Sequence, residues 1–329
     1  MKKRLYFVLT LLLCSASFAQ TPPDPLPSWN DGPAKQAILD FVRVTTDPES
    51  PQFVPPPERI ATFDNDGTLW VEQPLYTQFA FALDRIAALA PKHPEWKEKQ
   101  PFKAILTKDK QAIETFTLQD IEKILAQTHS GITIDAFQKI VKDWLTAAKH
   151  PKFDRPYTEL IYQPMLELLC YLRVNGYRTY IVTGGGQEFV RSFAERIYGV
   201  PPEQVIGSAG KVKYEYGPNG KPMLLKLPEV LLIDDKAGKP ESINLFIGRR
   251  PQAAFGNSTG DRQMLEWTQA GEGARLAMLV HHDDATREYD YGPKSKIGAF
   301  PDSLTAEAKK RGWVIISMKN DWKQIFAGK

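Results

Sequence analysis

FDNDGTLW, residues 63–70, sets Asp64 and Asp66 one residue apart, directly behind the apolar run Ile60, Ala61, Thr62, Phe63. Ionised carboxylates repel at that spacing, and burying either without a counter-charge is costly. Two acids at the end of a buried strand therefore call for a cation. Gly67 suggests that the chain is already turning there, which lets one carboxylate and a backbone carbonyl face the same ion. A hard cation such as magnesium takes oxygen ligands from one or two carboxylates and leaves room for phosphate.

Upstream, Lys2, Lys3 and Arg4 precede an apolar run from Leu5 to Leu13 and then Ser17-Phe18-Ala19. This is the pattern of a secretory signal peptide, residues 1–19, cut after Ala19. The mature chain is expected in the periplasm or secreted. Cys14 raises a lipoprotein alternative, but Leu13 stands where a small residue is expected. No later stretch reaches the roughly 18 apolar residues of a membrane span. The 42 Lys and Arg residues, less those three, leave 39 against 39 acids, so the net charge falls from +3 to about zero. A nucleic-acid binder needs a basic surplus or stripe, and neither is present. Of the two cysteines only Cys170 survives cleavage; within Leu168-Leu169-Cys170-Tyr171-Leu172 it is expected to be a buried apolar residue. Oligomeric state is left open.

Downstream of Trp70, residues 71–158 show helical periodicity and almost no strand signal: Phe79, Leu83 and Ile86; Ile121, Ile124 and Leu125; Phe137, Ile140, Val141 and Trp144. This predicts a helical insertion. Beyond it, helices are expected at 164–173, 187–197 and 240–247, with strands at 178–182, 204–206, 253–255, 276–280 and 313–317. A hairpin is expected across 211–226, with GPNG as its turn, and a short helix near 34–44. Strands alternating with helices predict an α/β fold with a Rossmann-like parallel sheet covered on both faces. Ligands of such sheets sit at the carboxyl ends of the strands. Three more of those ends carry polar groups. Val182-Thr183-Gly184-Gly185-Gly186 offers a hydroxyl and backbone amides before a helix, a setting for an anion. DDKAGKPESI offers Lys236 or Lys239, and nothing local separates the two. FGNSTGD offers Asn257, Ser258 and Asp261, which could equally be a turn capping the helix that follows.

Taken in this order, DNDGTL, the strand ending in Thr183, a later lysine and GNSTGD resemble the four motifs of the haloacid dehalogenase superfamily, in the phosphatase branch close to phosphoserine phosphatases. The resemblance covers about 58–70 and 160–282, and the helical insertion matches that branch's cap domain in position. It implies a core of residues 20–70 and 159–329 with a cap of residues 71–158. It further implies that Asp64 attacks phosphorus and becomes an aspartyl phosphate, while Asp66 protonates the leaving oxygen and later deprotonates water. Thr183 and Gly184 would bind the phosphoryl oxygens, and Lys239 would neutralise charge. Mg2+ would be held by Asp64, the Asp66 carbonyl, and Asn257 or Asp261 of the last loop.

Two positions depart from the family pattern. Asn257 stands where an aspartate is usual, and Gln73, with Glu72 beside it, stands where phosphoserine phosphatases use a glutamate to recognise the substrate amine. Glu72, Gln73, Trp70 and Tyr76, where core passes into cap, are expected to face the substrate; packing serves Trp70 equally well. His281 and His282, with Asp283 and Asp284, follow another strand, and a polar loop is preferred there to a second metal site. The expected activity is an exported, magnesium-dependent phosphomonoesterase acting on a small phosphorylated metabolite. The alternative is a non-catalytic phosphate- or ligand-binding protein on the same fold with a weakened metal site.

Overall fold

The computed structural model describes residues 23–328; the expected signal peptide and Cys14 lie outside the described residues. Strand β1 (Ile60–Phe63) is buried at every position, as befits a central parallel strand; its one polar side chain, Thr62, turns its hydroxyl to the Ala253 carbonyl at 3.4 Å. Around it run β2 (Arg178–Gly186), β3 (Val205–Tyr216), β4 (Pro222–Leu232), β5 (Ala253–Gly256), β6 (Leu276–His281) and β7 (Val314–Ser317), in the order β4-β3-β2-β1-β5-β6-β7. All neighbours are parallel except β3 and β4, the expected hairpin, which closes one edge. Because β1 has β2 on one side and β5 on the other, the chain reverses its direction of travel across the sheet at β1. Asp64 leaves β1 at that crevice, with its N–H on the Phe255 carbonyl at 2.9 Å and Phe63 stacked on Phe255 at 4.5 Å.

Between β1 and the helix Gln163–Val174 lies the predicted helical stretch, with principal helices at Thr77–Leu89, Leu118–His129 and Ile134–Ala147. Thr117 caps the second in a reciprocal box with Asp120, and Thr133 caps the third. One face of this insert has its own core of Ala82, Ile86, Trp96, Phe102, Ile105 and Ile124. The other face, through Phe81, Phe137, Val141 and Leu145, joins the main core, where Phe81 meets Phe189 at 5.6 Å. The hairpin also grips the insert: Lys226 donates its N–H to Ile132, and Gly131 donates to Lys226, each at 2.9 Å.

Several expectations need correcting. The helix expected at 187–197 is broken into Gln187–Arg191 and Ala194–Tyr198, with the Ser192 hydroxyl turned back onto the Phe189 carbonyl at 2.6 Å. Helix Asp302–Arg311 was not anticipated, because it buries only Leu304 and Ala308 and so carries little periodic signal. Cys170 is exposed, not buried. The buried stripe of its helix is Met165, Leu168, Leu169 and Leu172, and position 170 falls off that stripe at 3.6 residues per turn.

Gly207 in β3 marks a close backbone approach: a Cβ there would lie 2.8 Å from the Gly185 carbonyl and 3.0 Å from the Gln187 backbone. Gly207→Ala must therefore push apart the strand ends that shape the site. Urea unfolding should show a loss of about 1–3 kcal/mol, the usual range for overpacking.

Candidate active site

The turn after β1 is built by its own backbone. The Asn65 carbonyl accepts the amides of Thr68, Leu69 and Trp70 at 3.2, 2.8 and 3.3 Å, and Gly67, at φ 74°, donates to the Trp70 carbonyl at 2.8 Å. That left-handed backbone favours glycine, and a side chain there would also strike Asn257 and Glu72. The turn brings Trp70 back over Asp66. Its indole N–H donates to Asp66 Oδ1 at 2.9 Å while the ring, fully buried, stacks on Phe193 at 4.7 Å. Trp70 thus packs and positions at once.

Lys239 lies in the first turn of helix Gly238–Phe246 and is buried. Its ammonium donates to Asp64 Oδ1 at 2.6 Å, Asp261 Oδ1 at 2.6 Å and the Val182 carbonyl at 2.8 Å. Three protons meet three acceptors. Burial works against this charge, but Asp261, Asp64 and Asp234 outweigh it and hold the lysine above its ordinary range. Lys236, which nothing local in the sequence separates from it, is exposed. Burial and then Asp261 push the Asp64 carboxyl up, against the pull of Lys239. Asp66 is also raised by burial, against the Trp70 hydrogen bond.

Asp261 is fully committed: besides Lys239, its Oδ2 accepts the amides of Asn257 and Ser258 at 2.9 and 3.0 Å. It folds the loop and holds the lysine. Asn257 donates Nδ2–H to Glu72 Oε1 at 2.6 Å and accepts from the Thr68 hydroxyl at 3.3 Å. Thr183 is buried, with its hydroxyl accepting the Gly185 N–H at 3.0 Å. The Gly186 N–H is taken by Gln78 Oε1 at 2.6 Å, so neither of these two amides is free for an anion as expected. A Cβ on Gly185 would lie 3.6 Å from Asp66 Oδ2, which places the glycine run beside the catalytic candidates. Gln73 turns away to Ser295 and Ile297, each at 3.1 Å, and Tyr76 is partly exposed.

Residues 61–266 match the family model of haloacid dehalogenase-like hydrolases. The chain belongs to this family. No curated protein matches it by sequence. Among solved structures, this hydrolase is similar to a conserved, functionally unknown protein from Anaerococcus prevotii DSM 20548, with TM-score 0.50 and 15% identity over 88% of this chain and 94% of that one. A protein of unknown function from Bordetella pertussis Tohama I has TM-score 0.49 and 17% identity over 79% and 98% of the respective chains. A phosphoserine phosphohydrolase-like protein from Francisella tularensis subsp. tularensis SCHU S4 has TM-score 0.37 and 18% identity over 68% and 87%.

Among the described residues of the hydrolase, no three His, Cys, Asp or Glu side chains gather as a metal site. A hard cation at this crevice must rely on mixed oxygen donors, and the chain has them. Among the described residues Asp64 Oδ2 takes no hydrogen bond, the Asp66 carbonyl accepts none, and Asn257 Oδ1 has only the long bond from Thr68. That all-oxygen set fits magnesium.

Sequence reasoning missed four participants. Gln78 bridges Gly186 to His129 Nε2 at 3.0 Å, tying the insert to the glycine run. Burial, with Lys226 and Arg85, pushes His129 down to about 3, so it is neutral and accepts from Gln78. His282, anticipated only as part of a polar loop, contacts the Gly67 carbonyl at 2.8 Å and Glu288 at 3.1 Å. Tyr291 donates its hydroxyl to Glu72 Oε1 at 2.6 Å. Burial pushes Glu72 well above the glutamate range, opposed by Tyr291 and reinforced by Asp66 and Asp64. His281, by contrast, packs its ring on Phe300 at 4.7 Å.

Removing Lys239 strands Asp64 and Asp261. Lys239→Met should cost about 3–5 kcal/mol in denaturant unfolding, as for other broken buried ion pairs, whereas Lys236→Met should stay within about 0.5 kcal/mol of the parent.

Proposed function

We propose that this hydrolase is an exported, magnesium-dependent phosphomonoesterase that cleaves a small phosphorylated metabolite through an aspartyl phosphate on Asp64. The observation that carries the reading is the single ammonium of Lys239 held between Asp64 and Asp261, with Asp66 poised by Trp70 one residue from the nucleophile. Asp64 uses Oδ2, the oxygen that Lys239 leaves free, to attack phosphorus. As the ester P–O bond breaks, Asp66 gives its proton to the departing oxygen. Asp66 then takes a proton from water, which attacks the phosphoryl group and returns Asp64 with release of inorganic phosphate. Magnesium, held by the Asp64 carboxylate, the Asp66 carbonyl and Asn257, would supply the charge that reduces repulsion between nucleophile and substrate. A dehalogenase has no alkoxide to protonate, so Asp66 favours phosphoryl transfer.

Asp64 is 7% exposed and Thr183 is 1% exposed, so the structure describes a shut site. Substrate entry requires the insert to move. Its ties to the core beside the glycine run and the hairpin include the Gln78–Gly186 bond, the Gln138–Glu188 bond at 2.8 Å and the pairing at Gly131 and Ile132. The insert acts as a cap that excludes bulk water when closed. Gln73, with its amide occupied by Ser295 and Ile297, offers no acid to a substrate amine, which argues for leaving groups other than serine. Export rests on the charge and apolar pattern of residues 1–19.

Two outcomes are expected. The chain from residue 20 onward should hydrolyse p-nitrophenyl phosphate or a member of a small phosphate-ester panel only with magnesium. Asp64→Asn should reduce kcat by about three orders of magnitude or more; a folded Asp64→Asn protein with parental turnover refutes the assignment. Trp70→Phe keeps the stacking ring but removes the indole N–H that favours ionised Asp66. Activity requiring protonated Asp66 is lost as pH rises through its pKa, so the alkaline limb of kcat/KM should move up by about one pH unit.

A further inference from the structure

Acidic side chains at the crevice outnumber the cations that meet them. Asp64, Asp66, Glu72 and Asp261 all lie here, yet among the described residues Lys239 is the only lysine or arginine bonded to any of them, and Asp64 and Asp261 share it. Asp66 receives a neutral indole. Glu72, 2% exposed, receives only the Asn257 amide and the Tyr291 hydroxyl, both on Oε1; its Oε2 accepts no hydrogen bond among the described residues.

The fold nevertheless makes room for this carboxylate from two directions. A Cβ on Gly67 would lie 2.4 Å from Glu72 Oε1, and one on Gly298 would lie 1.8 Å from it. Both glycines have positive φ, 74° and 61°, so neither backbone readily accepts a side chain. A segment 231 residues further along the chain thus leaves a gap for one glutamate oxygen. Burying a carboxylate on neutral donors alone is expensive, and an apolar side chain would fill the same gap without that cost.

The contact with Asn257 gives the carboxylate a task. A carboxylate oxygen 2.6 Å away forces the Asn257 amide to present its NH2 to Glu72. Oδ1 is therefore turned to the other side, where only the Thr68 hydroxyl at 3.3 Å engages it. A neutral amide oxygen is a poorer cation ligand than a carboxylate, and a negative charge directly behind the amide strengthens it. We propose that Glu72 and Asn257 work as one unit in which Glu72, a positioning residue, orients Asn257 Oδ1 for the divalent cation and, with that cation in place, supplies the charge that the asparagine lacks. The inference rests on the magnesium reading above and deepens it.

The test is magnesium binding by titration calorimetry, with melting temperature measured with and without the ion, on the parent, Glu72→Gln and the double variant Glu72→Gln/Asn257→Asp. Glutamine keeps the shape, and its one oxygen can accept both hydrogen bonds that Glu72 Oε1 accepts, so the carboxylate's charge is lost while those contacts are kept. Glu72→Gln should bind magnesium about 10–100-fold more weakly, the usual effect of losing an outer partner of a ligand. Its metal-free melting temperature should be no lower than the parent's, because Glu72 Oε1 keeps both donors as an amide oxygen and Oε2 accepts no hydrogen bond among the described residues. The double variant moves the carboxylate to position 257 and should recover affinity to within about fivefold of the parent, less than the loss it repairs.

Parental affinity in Glu72→Gln overturns the inference while leaving the magnesium reading intact. No magnesium binding by the folded parent overturns both. A Glu72→Gln protein that melts lower both with and without magnesium, at parental affinity, assigns Glu72 to packing and overturns the inference. Should Glu72→Gln fail to fold, the double variant decides: binding supports the unit, and a folded protein without binding refutes it.

Discussion

One ammonium group organises this site. Lys239 spends its three protons on the nucleophile candidate Asp64, on Asp261 and on the carbonyl of Val182, and so links the ends of three neighbouring strands. Asp64 follows β1, Val182 belongs to β2, and Asp261 closes the loop after β5, so the lysine bridges the crevice at the point where the sheet changes direction. Asp261 in turn folds its loop by accepting two of that loop's own amides. The position of Asn257, and through it Glu72, depends on that fold. Opposite charges in such a low-dielectric setting hold geometry tightly because each would be costly if left alone.

The insert is joined to this crevice in two ways that differ in strength. Its apolar face runs into the main core through Phe81 and Phe137, while its polar face touches the glycine run through the single Gln78 amide. Hydrogen bonds of that kind contribute about 1 kcal/mol net, small enough to make and break in the cap motion proposed above. The separate core around Trp96 and Phe102 lets the outer part of the insert keep its shape during such movement. On the far side of Gly67, the buried set of Glu72, Tyr291, His282 and Glu288 holds the turn from below, so the catalytic loop is fixed on one face and approached by the insert on the other.

Much of this could be read from local sequence, and what could not has a common cause. The pair Asp64 and Asp66, the alternation of strands and helices, and the helical character of residues 71–158 are local patterns. The structure shows them as a largely parallel sheet, its crevice and the insert. Nothing local separates Lys239 from Lys236; the family resemblance favours Lys239, and the structure buries that one and leaves Lys236 exposed. Gln78, His129, Tyr291 and Gly298 act through partners far along the chain, and no periodicity or spacing marks such pairs. The two departures from the family pattern were visible as letters, Asn257 and Gln73, but their meaning was not. The structure turns Gln73 towards Ser295 and Ile297 and sets Glu72 against Asn257. Cys170 differs for another reason: its apolar neighbours in sequence do not share its face of the helix.

The most direct measurement is to capture the covalent state. The chain from residue 20 onward would be mixed with its best phosphate ester and magnesium, quenched in acid within the first turnover, digested, and read by mass spectrometry. The account predicts one phosphoryl group on the peptide containing Asp64, absent when Asp64→Asn is treated identically. Steady turnover with no phosphoryl adduct on that peptide, or an adduct on another residue, would contradict it.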